Sequence, residues 1–294
     1  MKLSVLILGY GEMGHALEYL LSDKHDVRIW SRSSTSNLAE EAAKAQLILF
    51  CLPVSSHVEV LQKIVPYLSK DSLTLSIAKG LDESGKTAAQ IFSTVLTDQH
   101  RFGILYGPMI SEEIRKDRYA FADVALSVRS DFDRIHTLFM GSKLICKQVN
   151  DMTGNSWSVI LKNVYAIMFG VADGLKLGGN FRGHLTVTAL AEISAILSML
   201  GANEHSPYGY AGLGDLITTA TSADSHHHEL GRKLALGQFD NMSGEGVYTL
   251  AMIAKHKIFE SQPYPLFMLV SDIITTPQKL DHLIEAYLAK LQSW

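Results

Sequence analysis

Residues 3–17 read LSVLILGYGEMGHAL, and this stretch decides the fold of the chain. An apolar run typical of a buried strand ends at Gly9, and a helical pattern follows Gly14. Glycines spaced G-x-G-x-x-G between a strand and a helix are typical of a dinucleotide-binding turn, where a pyrophosphate lies on the helix N-terminus. The alternative is a glycine-rich turn that binds nothing. The cofactor residues predicted here are Gly9, Gly11, Glu12, Met13 and Gly14.

The end of the second predicted strand, DVRIW at 26–30, indicates which dinucleotide is preferred. An NAD-binding protein usually carries Asp or Glu about 20 residues after the glycines, to bind the ribose 2′-hydroxyl. Here the chain reads Ser31-Arg32-Ser33-Ser34 instead. Because Arg32 suits a 2′-phosphate and the serines can donate to it, the sequence favours NADP over NAD. Alternatively, Arg32 is a solvated loop charge or stacks on the adenine.

Composition indicates a cytoplasmic enzyme of two domains. The 294 residues are 47% hydrophobic and 19% charged, which is enough apolar material for two cores. A net charge of −4 without a long basic run argues against nucleic acid as a partner. The first strand begins too early to leave room for a signal peptide. Cys51 and Cys146 do not make a disulfide framework, so we expect both to be reduced.

The pattern of hydrophobic residues changes near residue 150. Before it, short apolar strands alternate with helical segments, which predicts an α/β fold with a doubly wound, mostly parallel sheet. After it, segments with a 3.6-residue period dominate, which predicts an all-helical region. We therefore expect a nucleotide-binding domain at 1–150 and a helical domain at 151–294. Residues 152–172 hold one charge but several polar side chains, so they read as a buried helix and not as a membrane span.

Three residues follow strand-like runs at the sheet edge where open α/β folds bind ligands. Pro53 follows the third run and could shape the wall beside the nicotinamide. Lys79 follows the fourth and could reach a cofactor or an anionic substrate, and Gly107 ends the fifth. The alternatives are a loop proline, a solvated lysine and a simple turn.

Lys162 is the strongest candidate for acid–base chemistry. It is the one charge on an apolar helix, and burial disfavours the ammonium form and lowers a lysine pKa toward neutrality. The alternative is a side chain that snorkels to the surface. Asp215 begins a helix, where it could cap that helix or pair with a catalytic lysine. The three adjacent histidines His226, His227 and His228 do not share one helical face, so no metal site is predicted.

The order of these motifs resembles bacterial NAD(P)-dependent glycerol-3-phosphate dehydrogenases over nearly the whole chain. The resemblance implies a Rossmann domain, a helical domain like that of 6-phosphogluconate dehydrogenase, and dimerisation through that domain. It also implies hydride transfer between dihydroxyacetone phosphate and sn-glycerol 3-phosphate. The matching blocks are Gly9–Gly14, Ala78-Lys79-Gly80-Leu81, Gly107-Pro108 with Glu113, Leu161-Lys162-Asn163-Val164, Asp173 to Asn180, Gly212–Leu216 and Glu245-Gly246-Val247.

The resemblance also implies roles for individual residues. Lys162 matches the family's proton acceptor, and Lys79 matches a residue that touches both nicotinamide and substrate. Ser111 stands where an alanine meets the cofactor through its backbone, and Glu245 matches a cofactor contact. The positions that match the substrate pocket are Gly107, Asn163, Asp215 and Thr219.

The chain departs from the family pattern where the substrate phosphate is expected. Met109 replaces a serine, and Ser225-His226-His227-His228 replaces Ser-Arg-Asn-Arg. A histidine cannot reproduce the charged planar fork of arginine. Glu12 adds a carboxylate near the expected pyrophosphate. Two alternatives follow: an NADP-dependent reductase of a less charged substrate, whose pocket Met109 and the histidines line, or a non-catalytic nucleotide-binding protein.

Overall fold

The chain forms two units, Met1–Ser156 and Trp157–Trp294, in a computed structural model that describes residues 2–96, 99–222, 225–240 and 242–292. The first unit contains a sheet and the second is helical. Helix α7, Met152–Gly174, runs across the division between them.

One sheet organises the first unit. The apolar runs of the sequence predict strands at about 3–8, 26–30, 46–52, 72–77, 102–106, 122–128 and 143–149, and each is present to within two residues at each end. Its neighbours run in the order β2-β1-β3-β4-β5-β6-β7, and all pairs are parallel except β5 with β6. The first strand thus pairs with both the second and the third, which makes the doubly wound arrangement predicted above. The strands are β1 Ser4–Leu8, β2 Asp26–Trp30, β3 Leu47–Phe50, β4 Leu73–Ser76, β5 Arg101–Tyr106, β6 Ala120–Leu126 and β7 Leu144–Val149.

The apolar runs of β1 and β3 are continuous because both faces of the sheet are covered. Val5, Ile7 and Leu49 belong to the core on one face. Leu6 and Leu8 belong to the core on the other, since successive side chains of a strand point in opposite directions. The strand that carries the glycine turn and its neighbour β3 are therefore buried on two sides.

Six helices of the described part of this unit cover the sheet. Two of them are shorter than the sequence pattern predicts. The pattern predicts a helix at 55–68, but α3 ends at Ile64, because Pro66 stands in the short 3₁₀ turn that follows. It also predicts a helix at 85–96, but α4 begins only at Ala88, after Gly85 at φ +78°. The helices are α1 Glu12–Leu21, α2 Leu38–Ala43, α3 His57–Ile64, α4 Ala88–Leu96, α5 Ser111–Arg115 and α6 Phe132–Phe139.

The greater part of α7 and helices α8 to α13 form the second unit in its described residues. The sequence pattern predicts a helix at 208–221, but α9 begins at Asp215, because a 3₁₀ turn containing Pro207 and a glycine-rich π-helical turn, Tyr210–Gly214, precede it. Within the described ranges no helix is long and apolar enough to cross a membrane. The helices after α7 are α8 Gly178–Met199, α9 Asp215–Thr221, α10 His226–Ala235, α11 Glu245–His256, α12 Pro265–Thr275 and α13 Leu280–Gln292.

Candidate functional site

The three glycines of the first turn occupy three different environments. Gly9 has φ +97°, and a Cβ atom there would lie 2.7 Å from the carbonyl oxygen of Cys51. A Cβ on Gly14 would lie 2.3 Å from the carbonyl oxygen of Gly9, so α1 could not pack this closely on β1. A Cβ on Gly11 would meet no heavy atom within 4 Å. Gly9 and Gly14 are required by packing, whereas Gly11 leaves open space at the helix N-terminus, where a pyrophosphate fits.

Glu12 follows Gly11 at that open space, and its carboxylate is paired with residues of a neighbouring helix. Its Oε2 lies 2.5 Å from Nη2 of Arg115 and accepts a hydrogen bond of 3.2 Å from the Ser111 hydroxyl. Both partners belong to α5, so the repulsion expected between Glu12 and a pyrophosphate is offset by a cation from a neighbouring helix. Met13 is half-buried and packs against the core.

The turn after β2 is polar, and its serines hydrogen-bond to one another. The backbone N–H of Ser31 donates to the Ser34 hydroxyl at 2.9 Å, and the hydroxyls of Ser31 and Ser33 are 2.9 Å apart. Arg32 is exposed at the tip of this turn. An exposed guanidinium beside hydroxyl groups suits a phosphate better than a ribose hydroxyl.

The carboxyl ends of β4 and β5 bring two predicted residues together. Lys79 is half-buried, and its Nζ donates to the carbonyl oxygen of Gly107 at 3.1 Å. Gly107 itself tolerates no side chain, because a Cβ would lie 2.3 Å from the carbonyl oxygen of Phe121. Pro53 is exposed after β3, and its carbonyl oxygen lies 3.0 Å from Nδ1 of the buried His57, a residue that the sequence analysis missed.

Met109 follows the Gly107-Pro108 turn. It is 6% exposed and belongs to the apolar core of the first unit. Lys162 is equally buried, so burial alone does not decide whether a residue lines a pocket, and the substrate-binding role of Met109 stays a prediction.

Lys162 is buried and paired. Its side chain is 5% exposed, its Nζ lies 2.9 Å from Oδ2 of Asp215, and it donates to the Thr219 hydroxyl at 2.6 Å. The snorkelling alternative fails on this burial. Asp215 is the first residue of α9, and the predicted pairing of its carboxylate with a lysine is present.

The Lys162–Asp215 pair compensates for the burial of both charges. An ammonium taken out of water is costly, and a carboxylate in contact restores most of the lost interaction. The hydroxyl of Thr219 accepts a second Lys162 hydrogen bond. This geometry provides a lysine held in one orientation, with a proton available on a fixed nitrogen.

The residue after Lys162 carries an orphan acceptor. Asn163 is 3% exposed, and its Oδ1 has no hydrogen-bond partner in the described part of the chain. A Cβ on Gly246 would lie 2.6 Å from the Asn163 carbonyl oxygen, so this glycine lets α11 approach α7 closely. Buried acceptors are normally satisfied, and the Asn163 oxygen can receive a hydroxyl of a bound molecule. Glu245 is exposed at the start of α11.

The three histidines have different surroundings. Nε2 of His228 lies 2.8 Å from Oδ2 of Asp173, which also pairs with Arg182 at 2.5 Å. Nε2 of His227 accepts the backbone N–H of Gly246 at 3.3 Å. His226 is exposed in the first turn of α10. His226 is thus the most exposed of the three.

Ser225 stands just before these histidines. It is the N-cap of α10, and its hydroxyl accepts the backbone N–H of His228 at 3.3 Å. The Ser225 hydroxyl therefore serves the helix end, which fixes the first turn of α10 on which His226 stands.

Comparison with known proteins gives one consistent answer. Residues 33–130 match the family profile described as NAD-dependent glycerol-3-phosphate dehydrogenase N-terminus, and residues 151–285 match its C-terminus. A glycerol-3-phosphate dehydrogenase (NAD(P)+) of Synechocystis sp. is 32% identical over 295 residues, covering 96% of this chain and 93% of the relative. The enzyme of the same name from Agrobacterium fabrum is 29% identical, covering 85% and 86%.

Solved structures agree. The crystal structure of glycerol-3-phosphate dehydrogenase from Coxiella burnetii superposes with a TM-score of 0.84 at 25% identity, over 97% of this chain and 99% of that one. The yeast enzyme GPD1 superposes with a TM-score of 0.80 at 18% identity, over 97% and 100%, and supports the fold.

Proposed function

The chain belongs to the NAD-dependent glycerol-3-phosphate dehydrogenase family, and from that premise we propose that it interconverts dihydroxyacetone phosphate and sn-glycerol 3-phosphate with NAD(P) as cofactor. The observation that supports this best is the buried Lys162, held between the Asp215 carboxylate and the Thr219 hydroxyl. A fixed and desolvated acid is what reduction of a ketone requires beside a hydride donor.

Lys162 and its neighbours handle the proton in this proposal. A bound nicotinamide supplies the hydride that adds to the ketone carbon. Lys162 gives a proton from Nζ to the ketone oxygen as that oxygen gains negative charge, and takes it back in the oxidising direction. Asp215 keeps Nζ charged and oriented, and Thr219 fixes a second N–H direction. The orphan Oδ1 of Asn163 accepts a hydrogen bond from a substrate hydroxyl.

The first unit holds the dinucleotide. Gly9, Gly11 and Gly14 form the pyrophosphate turn, with Glu12 and Met13 inside it. Ser31 and Arg32 take the ribose 2′-phosphate, which makes NADP the preferred cofactor. Lys79 and Gly107 present a cation and a backbone group at the carboxyl edge of the sheet. The further cofactor contacts proposed are Pro53, Ser111 and Glu245.

Cofactor preference is tested by comparing kcat/KM for NADPH and NADH. We expect NADPH to be favoured, and Arg32→Ala to remove most of that preference by raising the KM for NADPH alone. Lys44→Ala, which removes an exposed cation of the same unit, is the matched control. If Arg32→Ala leaves the preference for NADPH over NADH unchanged, Arg32 is a solvated loop residue that does not contact the 2′-phosphate.

The activity is tested with dihydroxyacetone phosphate and, in parallel, with dihydroxyacetone, which carries the same ketone without the phosphate. We expect NADPH oxidation with the phosphorylated ketone and one glycerol 3-phosphate formed for each NADPH consumed. No oxidation with any ketone, together with tight NADPH binding, would identify a non-catalytic nucleotide-binding protein.

One observation favours a second candidate, an NADP-dependent reductase of a less charged ketone. No arginine stands at 226–228, and His227 and His228 already bind Gly246 and Asp173. A guanidinium clamp for phosphate is therefore missing at this position. Faster turnover of dihydroxyacetone than of its phosphate would favour this candidate.

Cellular context completes the proposal. We propose a homodimer, as the family resemblance implies, and a cytoplasmic location. Cys51 and Cys146 are free thiols, which suits a reducing compartment. Light scattering after gel filtration measures the mass: twice 32.4 kDa supports the dimer, and 32.4 kDa rejects it.

A further inference from the structure

His57 makes two directed hydrogen bonds at the ligand-binding edge of the sheet. It is the first residue of α3 and is fully buried. Its Nδ1 lies 3.0 Å from the carbonyl oxygen of Pro53, and its Nε2 lies 2.9 Å from the Ser76 hydroxyl. Since a carbonyl oxygen only accepts, we assign the ring hydrogen to Nδ1. Nε2 of the neutral ring then accepts the Ser76 hydroxyl.

Aromatic rings hold the imidazole in place. The ring centroid of Phe50 lies 4.9 Å from that of His57, and the ring of Phe92 stacks on it at 5.6 Å. Burial lowers the pKa of His57 to about 4, so the ring is neutral near pH 7. This environment would accept a phenyl ring of similar size. The two hydrogen bonds, and not the filled volume, therefore distinguish histidine at this position.

Ser76, which bonds Nε2 of His57, also bonds the segment that carries Lys79. The Ser76 hydroxyl oxygen accepts the backbone N–H of Ala78 at 3.1 Å, and the Tyr106 hydroxyl donates to the Ala78 carbonyl at 2.9 Å. Lys79 follows directly, with its Nζ on the Gly107 carbonyl at 3.1 Å. A chain of hydrogen bonds thus runs from Pro53 after β3, through His57 and Ser76, to the residue before Lys79.

We propose that His57 is a positioning residue for Lys79: it ties the turn after β3 to residues 76–79 after β4 and fixes the backbone from which Lys79 reaches its ligand. The inference rests on the proposed function, which places Lys79 with the cofactor and substrate. Positioning matters because a displacement of about 1 Å in a reacting group costs about 100-fold in rate.

Three substitutions separate the two hydrogen bonds of His57 from its volume. His57→Phe keeps an aromatic ring packed against Phe50 and Phe92 and loses both hydrogen bonds. The short amide of His57→Asn reaches the Pro53 carbonyl but not Ser76, whereas the longer amide of His57→Gln reaches Ser76. His25→Phe is the matched control, because His25 is also buried and also bonded at both nitrogens, to the Leu3 N–H and the Leu138 carbonyl at the opposite edge of the sheet.

Two readouts are measured for each variant, together with the melting temperature. The first is hydrogen exchange of the Ala78 and Lys79 amides. The second is kcat with dihydroxyacetone phosphate at saturating NADPH. We expect faster exchange and a kcat lower by about 10- to 100-fold in His57→Phe and His57→Asn, with a much smaller change in His57→Gln. His25→Phe lowers the melting temperature without changing either readout.

Two results would overturn the proposal. One is a His57→Phe variant whose amide exchange and kcat equal those of the wild type and whose melting temperature alone is lower. The other is equal effects of the Asn and Gln variants, which would show that the Ser76 link is not the one that matters. If the wild-type protein does not reduce dihydroxyacetone phosphate, the proposed function fails. The exchange of Ala78 and Lys79 then still decides whether His57 fixes this segment.

Discussion

Lys79 and Lys162 are the two lysines assigned to chemistry, and their surroundings differ. Lys79 is half-buried, with Nζ on a backbone carbonyl at the end of the sheet. Lys162 is buried in a helical unit, with Nζ on a carboxylate and a hydroxyl. Lys162 is thus paired with a counter-charge and held at two points, which suits the exchange of a proton from a fixed position. Lys79 lies at the edge of the sheet where open α/β folds bind ligands, which suits contact with an anionic ligand.

The sharpest test of this difference removes the carboxylate. Asp215→Ala leaves the Lys162 ammonium buried without a counter-charge, and we expect the free energy of unfolding to fall by about 3–5 kcal/mol. Lys79→Met removes a half-buried ammonium that donates to a carbonyl and is expected to cost about 1.5–3 kcal/mol. Urea denaturation of both variants measures the two values.

The double variant Lys162→Met with Asp215→Leu is the control for this result. It replaces the ion pair by apolar side chains of similar size, which is often neutral for stability. We therefore expect it to recover most of what Asp215→Ala loses. Equal losses in Asp215→Ala and Lys79→Met would remove the distinction between the two lysines.

His57, which we propose positions Lys79, is buried and neutral in the folded protein. Its burial makes the free energy of unfolding depend on pH. The folded pKa of His57, about 4, lies below the unfolded value of about 6.5 because of burial. The unfolded state binds the proton more tightly, so the contribution of neutral His57 to the free energy of unfolding is complete above pH 6.5 and is lost as the pH falls toward 4. The difference between the two pKa values corresponds to about 3 kcal/mol.

Comparison with His57→Phe isolates this contribution, because other titrating groups cancel between the two proteins. Unfolding free energies are measured for both between pH 7 and pH 4. We expect the wild type to lose about 3 kcal/mol relative to His57→Phe over that range. A constant difference would mean that the ring is not held neutral in the folded state.

In the helical unit, His226 stands where the family resemblance implies an arginine. His226→Arg supplies a permanent charge in the first turn of α10, and a charged hydrogen bond contributes about 1.5–3 kcal/mol. We expect the KM for dihydroxyacetone phosphate to fall by about 10- to 150-fold if it reports binding. His205→Arg adds the same charge at an exposed position of the same unit and should leave KM unchanged. An unchanged KM in His226→Arg would favour a less charged substrate.

The smallest effect is expected at the glycine turn. Arg115→Ala leaves the Glu12 carboxylate near the pyrophosphate without its cation. Exposed pairs contribute about 0.2–1 kcal/mol, so the Kd for NADPH should rise by up to about fivefold at low salt. Combining Arg115→Ala with Glu12→Gln should restore the affinity, because the repulsive charge is then gone. Titration of NADPH fluorescence measures the three values, and an unchanged Kd in the single variant would contradict the account.

Features that depend on the backbone were predictable from the sequence. The strands, the helical second unit and the packing of Gly9 and Gly14 follow from hydrophobic period and glycine spacing. Errors in helix length occur at Pro66, after Gly85 and at the glycine-rich turn Tyr210–Gly214. Local sequence is sufficient for these features because their causes lie within a few residues.

Side-chain partners were not predictable, because they come from distant parts of the chain. The apolar flanks of Lys162 predict its burial, but the packing of α7 against α9 is what supplies Asp215. The direction of Met109 and the partner of His228 likewise depend on tertiary packing. No pattern in the sequence distinguishes His57 from an ordinary helix residue. The roles assigned to the site residues themselves stay predictions until they are measured.

Single-turnover reduction of dihydroxyacetone phosphate by protein preloaded with NADPH tests the different roles of the two lysines most directly. Lys162→Met is expected to slow the chemical step by about 10²- to 10⁴-fold, because the proton donor is lost. Lys79→Met is expected to weaken substrate binding and to slow the same step at saturation by about 10- to 100-fold, because Lys79 orients the substrate without exchanging the proton. Lys162→Met that reacts at the wild-type rate would contradict the assignment of Lys162 as the proton donor.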